Sequence, residues 1–239
     1  MQVQLQTIRN WIVFFIIAVI SFVLTYFGHS YIFHDSISVA QSADSTSFVD
    51  IRSVNPRIQL DIRYATPNNF TKRKFYREAR CILRVPVAQA LSKVQTELET
   101  RGLGLSVYDC YRPLSVQKAM WKVLPDSRFV ANPAVGSRHN RGAAVDLTLV
   151  DLKEKSASAD RRSGNALTMP TEFDDFSDRA ARSYANLPPQ IKQNRQTLED
   201  AMVKGGFVGL GSEWWHFDYK DWQQYPVRDL SFDAVAAPR

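Results

Sequence analysis

The stretch "SRHNRGAAVD", residues 137–146, contains one of only four histidines in the chain, His139, and ends in Asp146. It overlaps "AAVDLTLVD", an apolar run rich in β-forming residues that predicts a buried strand. Gly142 and the alanines that follow allow a sharp turn and leave room beside both polar side chains. The histidine and the carboxylate therefore suggest a functional site at the start of this strand.

A second polar cluster lies near the end of the chain, in "SEWWHF". There His216 follows Glu213 by three residues, whereas the other two histidines, His29 and His34, precede the folded domain. Residues three apart on a straight strand face opposite sides, so Glu213 and His216 converge only through a turn, a bulge or a bend. The sequence does not distinguish among these three.

Zinc is the simplest explanation for the two clusters together. A catalytic zinc ion takes three protein ligands and keeps a fourth position for water, and two imidazoles with one carboxylate supply the three. We interpret His139, Asp146 and His216 as these ligands. Glu213 is then the general base that takes a proton from the water. The competing interpretation is that each histidine is a hydrogen-bonded core residue.

The remaining pattern predicts an α+β fold in a single domain. "PVAQALSKVQTELETRG" has apolar residues at helical spacing between Pro86 and Gly102 and predicts a helix. "PPQIKQNRQTLEDAMVKGG" predicts another helix for the same reason. "SVQKAMWKVL" predicts a third helix. Strands are expected in "RIQLDIRYAT", in "LGLSVYDCYRP" and in "FVGLGSEWWHFDY". Strands and helices mix without a βαβ rhythm. Residues 152–186 are expected to form a long surface excursion.

The N-terminus predicts export. "WIVFFIIAVISFVLTYF", residues 11–27, is uncharged and about long enough to span a bilayer. Arg9 precedes it and no Lys or Arg follows before Arg52, which places the rest of the chain outside. Residues 1–28 are either a membrane anchor or a signal peptide cut near Ala40. Residues 29–47 are a linker, and the domain spans residues 48–239 in the cell envelope or periplasm.

Charge and cysteine content agree with an exported protein. The net charge is +6, but the basic residues are scattered and form no aromatic-interleaved stripe, which disfavours a nucleic-acid partner. The chain has two cysteines, Cys81 and Cys110. In an oxidising compartment they are expected to form a disulfide, the alternative being two buried thiols.

Two motifs resemble a known family. S-x-H-x-x-G-x-A-x-D at residues 137–146 and E-x-W-H at residues 213–216 are similar to the signature of D-Ala-D-Ala dipeptidases of the VanX type. These are zinc D,D-peptidases with the Hedgehog/D,D-peptidase fold, whose central sheet is mostly antiparallel with flanking helices. "DIRYATPNNF", "YDCYRP" and "GFVGLGSEWWHF" extend the resemblance over roughly residues 48–227.

The resemblance implies one Zn²⁺ per chain and hydrolysis of D-Ala-D-Ala or related D,D-dipeptides. It implies that Arg112 steadies the developing oxyanion, and that Tyr64, Asp109 and Ser137 lie near the substrate. The best-known members act in the cytoplasm, whereas this domain is expected to meet cell-wall fragments outside during peptidoglycan turnover. Two alternatives stay open, namely a D,D-carboxypeptidase or endopeptidase acting on stem peptides, and a non-catalytic zinc-bearing wall-binding module.

Overall fold

A computed structural model describes residues 47–153 and 165–235. Its helices are α1 (Ile51–Val54), α2 (Val85–Glu99), α3 (Leu114–Val123) and α4 (Pro189–Lys204). Its strands are β1 (Phe48–Asp50), β2 (Gln59–Leu60), β3 (Ile82–Arg84), β4 (Leu103–Asp109), β5 (Ala144–Asp151), β6 (Asn165–Ala166), β7 (Phe207–Gly209) and β8 (His216–Tyr219).

One sheet organises the domain. Its strands run in the order β2-β4-β5-β8-β7, and β6 also pairs with β5. Only β2 and β4 are parallel; the other pairings are antiparallel. A separate two-stranded antiparallel sheet joins β1 to β3. The predicted α+β fold with a mostly antiparallel central sheet is confirmed.

The core forms around β5, which is buried from Ala144 through Val150. Helices α2 and α4 both contact the sheet. Helix α2 presents Ala88, Leu91, Val94 and Leu98, the residues that the sequence places at helical spacing, and all four are buried. The chain leaves α2 through Gly102, whose φ of 73° favours glycine. Both long helices form where the sequence predicts them.

The predicted strand "RIQLDIRYAT" is much shorter in the structure. Only Gln59 and Leu60 pair with β4, and a 3-10 helix follows at Arg63–Ala65. The reason is aromatic packing, because the 3-10 turn directs Tyr64 into a buried cluster with Phe75. The alternating pattern is compatible with a strand, but burial of this large side chain ends the strand early.

Cys81 and Cys110 form a disulfide. It connects the residue before β3 to the residue after β4, so the small sheet is covalently attached to the central one. Within residues 47–153 and 165–235, no helix is long and apolar enough to cross a membrane. The apolar segment at residues 11–27 and the cleavage position near Ala40 lie outside the described residues.

Candidate metal centre

Strand register brings three polar residues into one row. Asp146 on β5 is opposite His216 on β8 and, on the other side, opposite Asp109 at the end of β4. A register shift between Val107 and Asp109 marks a bulge in β4. Since partners in neighbouring strands lie about 5 Å apart, this pairing alone assembles a charged row in a buried sheet.

His139 reaches the same place from a 3-10 helix, His139–Arg141, that precedes β5. Gly142 ends this helix in the left-handed region, with φ 68°. A Cβ atom on Gly142 would lie 2.3 Å from the ring of Phe48, so both the turn and the packing require glycine. This compact turn places the imidazole beside the carboxylate of Asp146.

A turn before β8 brings Glu213 and His216 together, although they are three residues apart. The chain turns at Leu210–Glu213, where the Glu213 N–H donates to the Leu210 carbonyl, and β8 begins only at His216. The Arg182 guanidinium stabilises this turn by donating to the carbonyls of Leu210, Trp214 and His216. Glu213 and His216 therefore face the same cavity.

The three predicted ligands fit a tetrahedral metal. His139 Nε2 lies 3.1 Å from His216 Nδ1 and 3.3 Å from an Asp146 carboxylate oxygen. The other Asp146 oxygen lies 2.9 Å from His216 Nδ1. Ligand atoms held at about 2.0–2.1 Å in tetrahedral geometry lie about 3.3 Å apart, close to these separations. All three side chains are buried, and together they could hold a metal ion.

The outer partners of the histidines set the tautomers that a metal needs. His139 Nδ1 lies 2.7 Å from the Cys110 carbonyl oxygen, which only accepts hydrogen bonds, so Nδ1 carries the proton and Nε2 offers its lone pair. His216 Nε2 lies 3.0 Å from an Asp218 carboxylate oxygen, and this ring therefore directs Nδ1 inward. Such partners are typical of metal-ligating histidines.

Electrostatics show that this place favours positive charge. Burial raises the pKa of Asp146, but the charges and hydrogen bonds of His139 and His216 outweigh burial and hold the pKa well below its usual range. Burial lowers the pKa of His216, but hydrogen bonds to Asp146 and Asp218 raise it to about 10. Without a metal, a proton on His216 compensates the negative charge of the two carboxylates. A divalent cation competes with that proton for the same site.

Glu213 lies at the edge of this set. One of its carboxylate oxygens is 4.0 Å from His216 Nδ1, too far for a direct hydrogen bond. Burial raises the pKa of Glu213, and the charge of Asp146 raises it further against the opposing effect of His216. A carboxylate with a raised pKa beside a metal site is suited to proton transfer.

Arg112 is held by a buried carboxylate. Its Nε and Nη2 atoms donate to one oxygen of Asp109, at 3.0 and 2.8 Å, and Nη1 donates to Gln117. The other oxygen of Asp109 accepts from the Tyr76 hydroxyl at 2.8 Å. Of the five N–H donors of a guanidinium, these bonds use three, which leaves two without a partner among the described residues.

A cavity of about 230 Å³ opens beside these groups and is lined by all three predicted ligands, Glu213 and Arg112. Tyr64 and Ser137 line it too, as expected for residues near a substrate. Asp109 does not line the cavity; it is fully buried and contacts Arg112. Asp109 therefore holds the Arg112 guanidinium in place.

Asp174, which no sequence motif indicates, also lines the cavity. Its carboxylate accepts hydrogen bonds from the Tyr64 hydroxyl and the Phe70 N–H, at 3.1 Å each, and it forms no ion pair with any described residue. Burial raises its pKa to about 7, and repulsion from Asp146 adds to this. Its φ of 62° is unusual for a residue other than glycine. The prediction of a surface excursion at residues 152–186 is wrong for the part that the structure describes, because Met169, Phe173 and Ala180 are buried in the core, and no motif in this stretch points to Asp174.

A buried site with two histidines and one carboxylate, a neighbouring acid and an opposed arginine is the arrangement of a metal-dependent hydrolase. A family model described as Peptidase M15, D-ala-D-ala dipeptidase, matches residues 44–234. The chain belongs to this family.

Curated relatives agree with this assignment. The chain is 36% identical over 196 residues to the D-alanyl-D-alanine dipeptidase of Escherichia coli (strain K12), covering 82% of this chain and 96% of that protein. It is 32% identical over 203 residues to the protein of that name from Streptomyces coelicolor, covering 75% and 93%. It is 28% identical over 195 residues to that from Enterococcus faecium, covering 73% and 92%.

We expect Zn²⁺, used as a probe, to stabilise the protein through Asp146. At a free concentration about 100 times the dissociation constant, binding adds ~2.7 kcal/mol to the free energy of unfolding. Asp146→Asn should lose most of this increment, because one anionic ligand becomes neutral. Asp151→Asn, at the far end of β5, is the matched control and should retain it. Thermal unfolding with Zn²⁺ and with a chelator measures both. An unchanged increment in Asp146→Asn would contradict the ligand set.

Proposed function

We propose that this protein is a zinc-dependent dipeptidase that hydrolyses D-Ala-D-Ala to two molecules of D-Ala. Membership of the dipeptidase family supports the reaction class. His139, Asp146 and His216 support a metal, and their nitrogen and oxygen donors suit zinc. The observation that carries the preference for a dipeptide is the carboxylate of Asp174 in the cavity.

Asp174 distinguishes a dipeptide from a longer substrate. In a dipeptide the α-nitrogen next to the scissile carbonyl is a free ammonium, whereas in a stem peptide the same nitrogen is a neutral amide that continues into further chain. A partly buried carboxylate without an ion-pair partner among the described residues forms a charge-assisted hydrogen bond and an ion pair with the ammonium, whereas an amide N–H gives it only a weaker hydrogen bond from a neutral donor. Tyr64 links this carboxylate to the reaction site, because its hydroxyl bonds to Asp174 and its ring lies 5.1 Å from the Arg112 guanidinium carbon.

The cavity size agrees with a small substrate. At about 230 Å³ it is smaller than the pockets of roughly 300–1,000 Å³ that typically hold drug-sized ligands. Three aromatic side chains close one side of it. Phe176 stacks on Phe129 with a centroid separation of 4.7 Å and meets Phe70 edge-on at 5.4 Å.

The chain's own groups divide the chemistry among them. Zinc, when bound, polarises the scissile carbonyl and lowers the pKa of water. Glu213 takes the proton of the attacking water and delivers it to the leaving amine nitrogen, and its raised pKa suits both transfers. The two remaining N–H donors of Arg112 stabilise the negative charge that develops on the carbonyl oxygen. Ser137 holds the histidine turn, since its hydroxyl accepts from the His139 N–H.

The other two functions fit less well. A D,D-carboxypeptidase or endopeptidase would use the same metal ligands, but Asp174 would then face a neutral amide in a confined cavity. A wall-binding module would hold zinc without needing an acid beside it, whereas here the half-buried carboxylate of Glu213 lines the cavity beside the predicted metal ligands.

The first test follows free D-Ala released by the zinc-loaded protein. D-Ala-D-Ala should be cleaved, and a stem peptide ending in D-Ala-D-Ala should be cleaved far more slowly. Glu213→Gln should lower kcat by about 10²–10⁴-fold while zinc binding is retained, because only the proton acceptor is removed. Glu172→Gln, an exposed change outside the cavity, is the control. Preferred cleavage of the stem peptide would favour a carboxypeptidase, and zinc binding without cleavage of either would favour a binding module.

Asp174→Asn should raise KM for D-Ala-D-Ala by roughly 30-fold or more, because a charged partner of the substrate ammonium is lost. In the wild type only the ionised carboxylate binds the ammonium, so KM should rise as the pH falls from about 7.5 to about 5.5, through the raised pKa of Asp174. In the variant this rise should disappear. Asp175→Asn, which changes a carboxylate outside the cavity, is the matched control. Equal KM values in the two variants would rule out an ammonium site at Asp174.

The cellular location is also a proposal. The apolar segment at residues 11–27 and the disulfide between Cys81 and Cys110 support export to the cell envelope, where the substrates would be dipeptides from peptidoglycan turnover. We expect the full-length chain to fractionate with the envelope or periplasm of a bacterial host, with both cysteines resistant to alkylation. Recovery with the membrane would indicate an anchor, and a soluble form beginning after Ala40 would indicate cleavage. A cytoplasmic chain with reactive thiols would contradict export.

A further inference from the structure

The Arg112 guanidinium has one contact that the family motifs do not explain. Both donors that point to Asp109, Nε and Nη2, converge on the same carboxylate oxygen. Two bonds that meet at one atom leave the guanidinium plane free to pivot about that atom. A second fixed point is needed to hold its two remaining N–H groups in one direction.

Gln117 on α3 supplies this second point. It is fully buried, and its Oε1 accepts from Arg112 Nη1 at 2.9 Å while its Nε2 donates to the Ala131 carbonyl at 2.7 Å. Because a carbonyl only accepts hydrogen bonds, Nε2 must face Ala131, and Oε1 must therefore face the guanidinium. The amide has a single satisfied orientation.

Gln117 also connects the Arg112 guanidinium to the cavity wall. Ala131 belongs to the segment between α3 and the His139 turn, and this segment contributes Phe129, Val130 and Ala131 to the cavity lining. One side chain therefore bonds both to Arg112 and to the backbone of the wall that faces the substrate. Displacement of either would disturb the other through the same amide.

We propose that Gln117 is a positioning residue, which fixes the plane of the Arg112 guanidinium so that its remaining donors meet the developing oxyanion. This inference rests on the proposed hydrolysis. The interaction that it supports is strongest when the carbonyl oxygen becomes negative, so its loss should reduce kcat more than it raises KM.

The test compares two buried glutamines. Gln117→Met should lower kcat and kcat/KM together by about 10- to 100-fold with KM nearly unchanged, since a hydrogen bond to a charged group is lost. Gln117→Glu keeps an oxygen toward Arg112 but loses the N–H donor to the Ala131 carbonyl, so its kcat should fall between those of the wild type and Gln117→Met. Gln95→Met is the matched control, because Gln95 is also fully buried and bonded at both ends of its amide, to Glu99 and to the Leu105 N–H, but lies on α2 outside the cavity.

A spectroscopic measurement makes the outcome independent of turnover. In the full chain, the Arg112 Nη1 N–H resonances should show hindered rotation and slow hydrogen exchange in wild type and in Gln95→Met, and lose both in Gln117→Met, whereas the Nε resonance stays protected by Asp109. If the wild type cleaves neither substrate, the proposed hydrolysis fails and these resonances alone decide the positioning role. Equal kcat values and equal resonances in Gln117→Met and Gln95→Met would overturn the inference.

Discussion

The site depends on compensation of the Asp146 carboxylate, which lies on the central strand with only 3% of its surface exposed. An uncompensated ionised carboxylate at this depth would cost several kcal/mol, which is comparable to the stability of a whole domain. The neighbouring strands meet this demand, because register places His216 directly opposite and the turn at Gly142 adds His139. The same requirement that keeps the fold stable therefore concentrates metal-binding nitrogens at one point.

Contacts behind the site fix the tautomers and the orientation of its side chains. The Cys110 carbonyl and the Asp218 carboxylate select the histidine tautomers, Asp109 holds Arg112, and Arg182 stabilises the turn that carries Glu213. Each of these groups is satisfied by hydrogen bonds to its neighbour, so a change in one is felt by the next. The geometry of the reacting groups is therefore a property of this network more than of the individual side chains.

Sequence reasoning identifies the local part of this arrangement. His139 and Asp146 lie seven residues apart and Glu213 and His216 three apart, and both short motifs contain residue types that few structural roles require together. Helices α2 and α4 are predictable for a similar reason, since their apolar spacing is regular. The strand predicted around residues 57–66 is mostly absent, because alternation in sequence does not reveal that Tyr64 must turn into an aromatic cluster.

The residues that the sequence does not reveal act through contacts that only the fold creates. Asp174 and Arg182 come from a polar, irregular stretch with no periodicity, and their roles appear only when Tyr64 and the turn before β8 are beside them. Gln117 looks like an ordinary helical residue, because its two partners, Arg112 before the helix and the Ala131 carbonyl after it, are brought to the same side chain only by the fold. No spacing rule encodes these contacts, since they depend on how distant segments meet in space.

The order of the ligands along the chain has a consequence for assembly. Seventy residues separate Asp146 from His216, and the last ligand arrives only when β8 pairs with β5 near the end of the domain. A chain that has folded only as far as β5 presents an isolated histidine–aspartate pair, which is a poor chelator. Capture of a metal by all three residues would therefore coincide with the pairing of β8 and β5, and occupancy of the centre would report that these two strands are correctly paired.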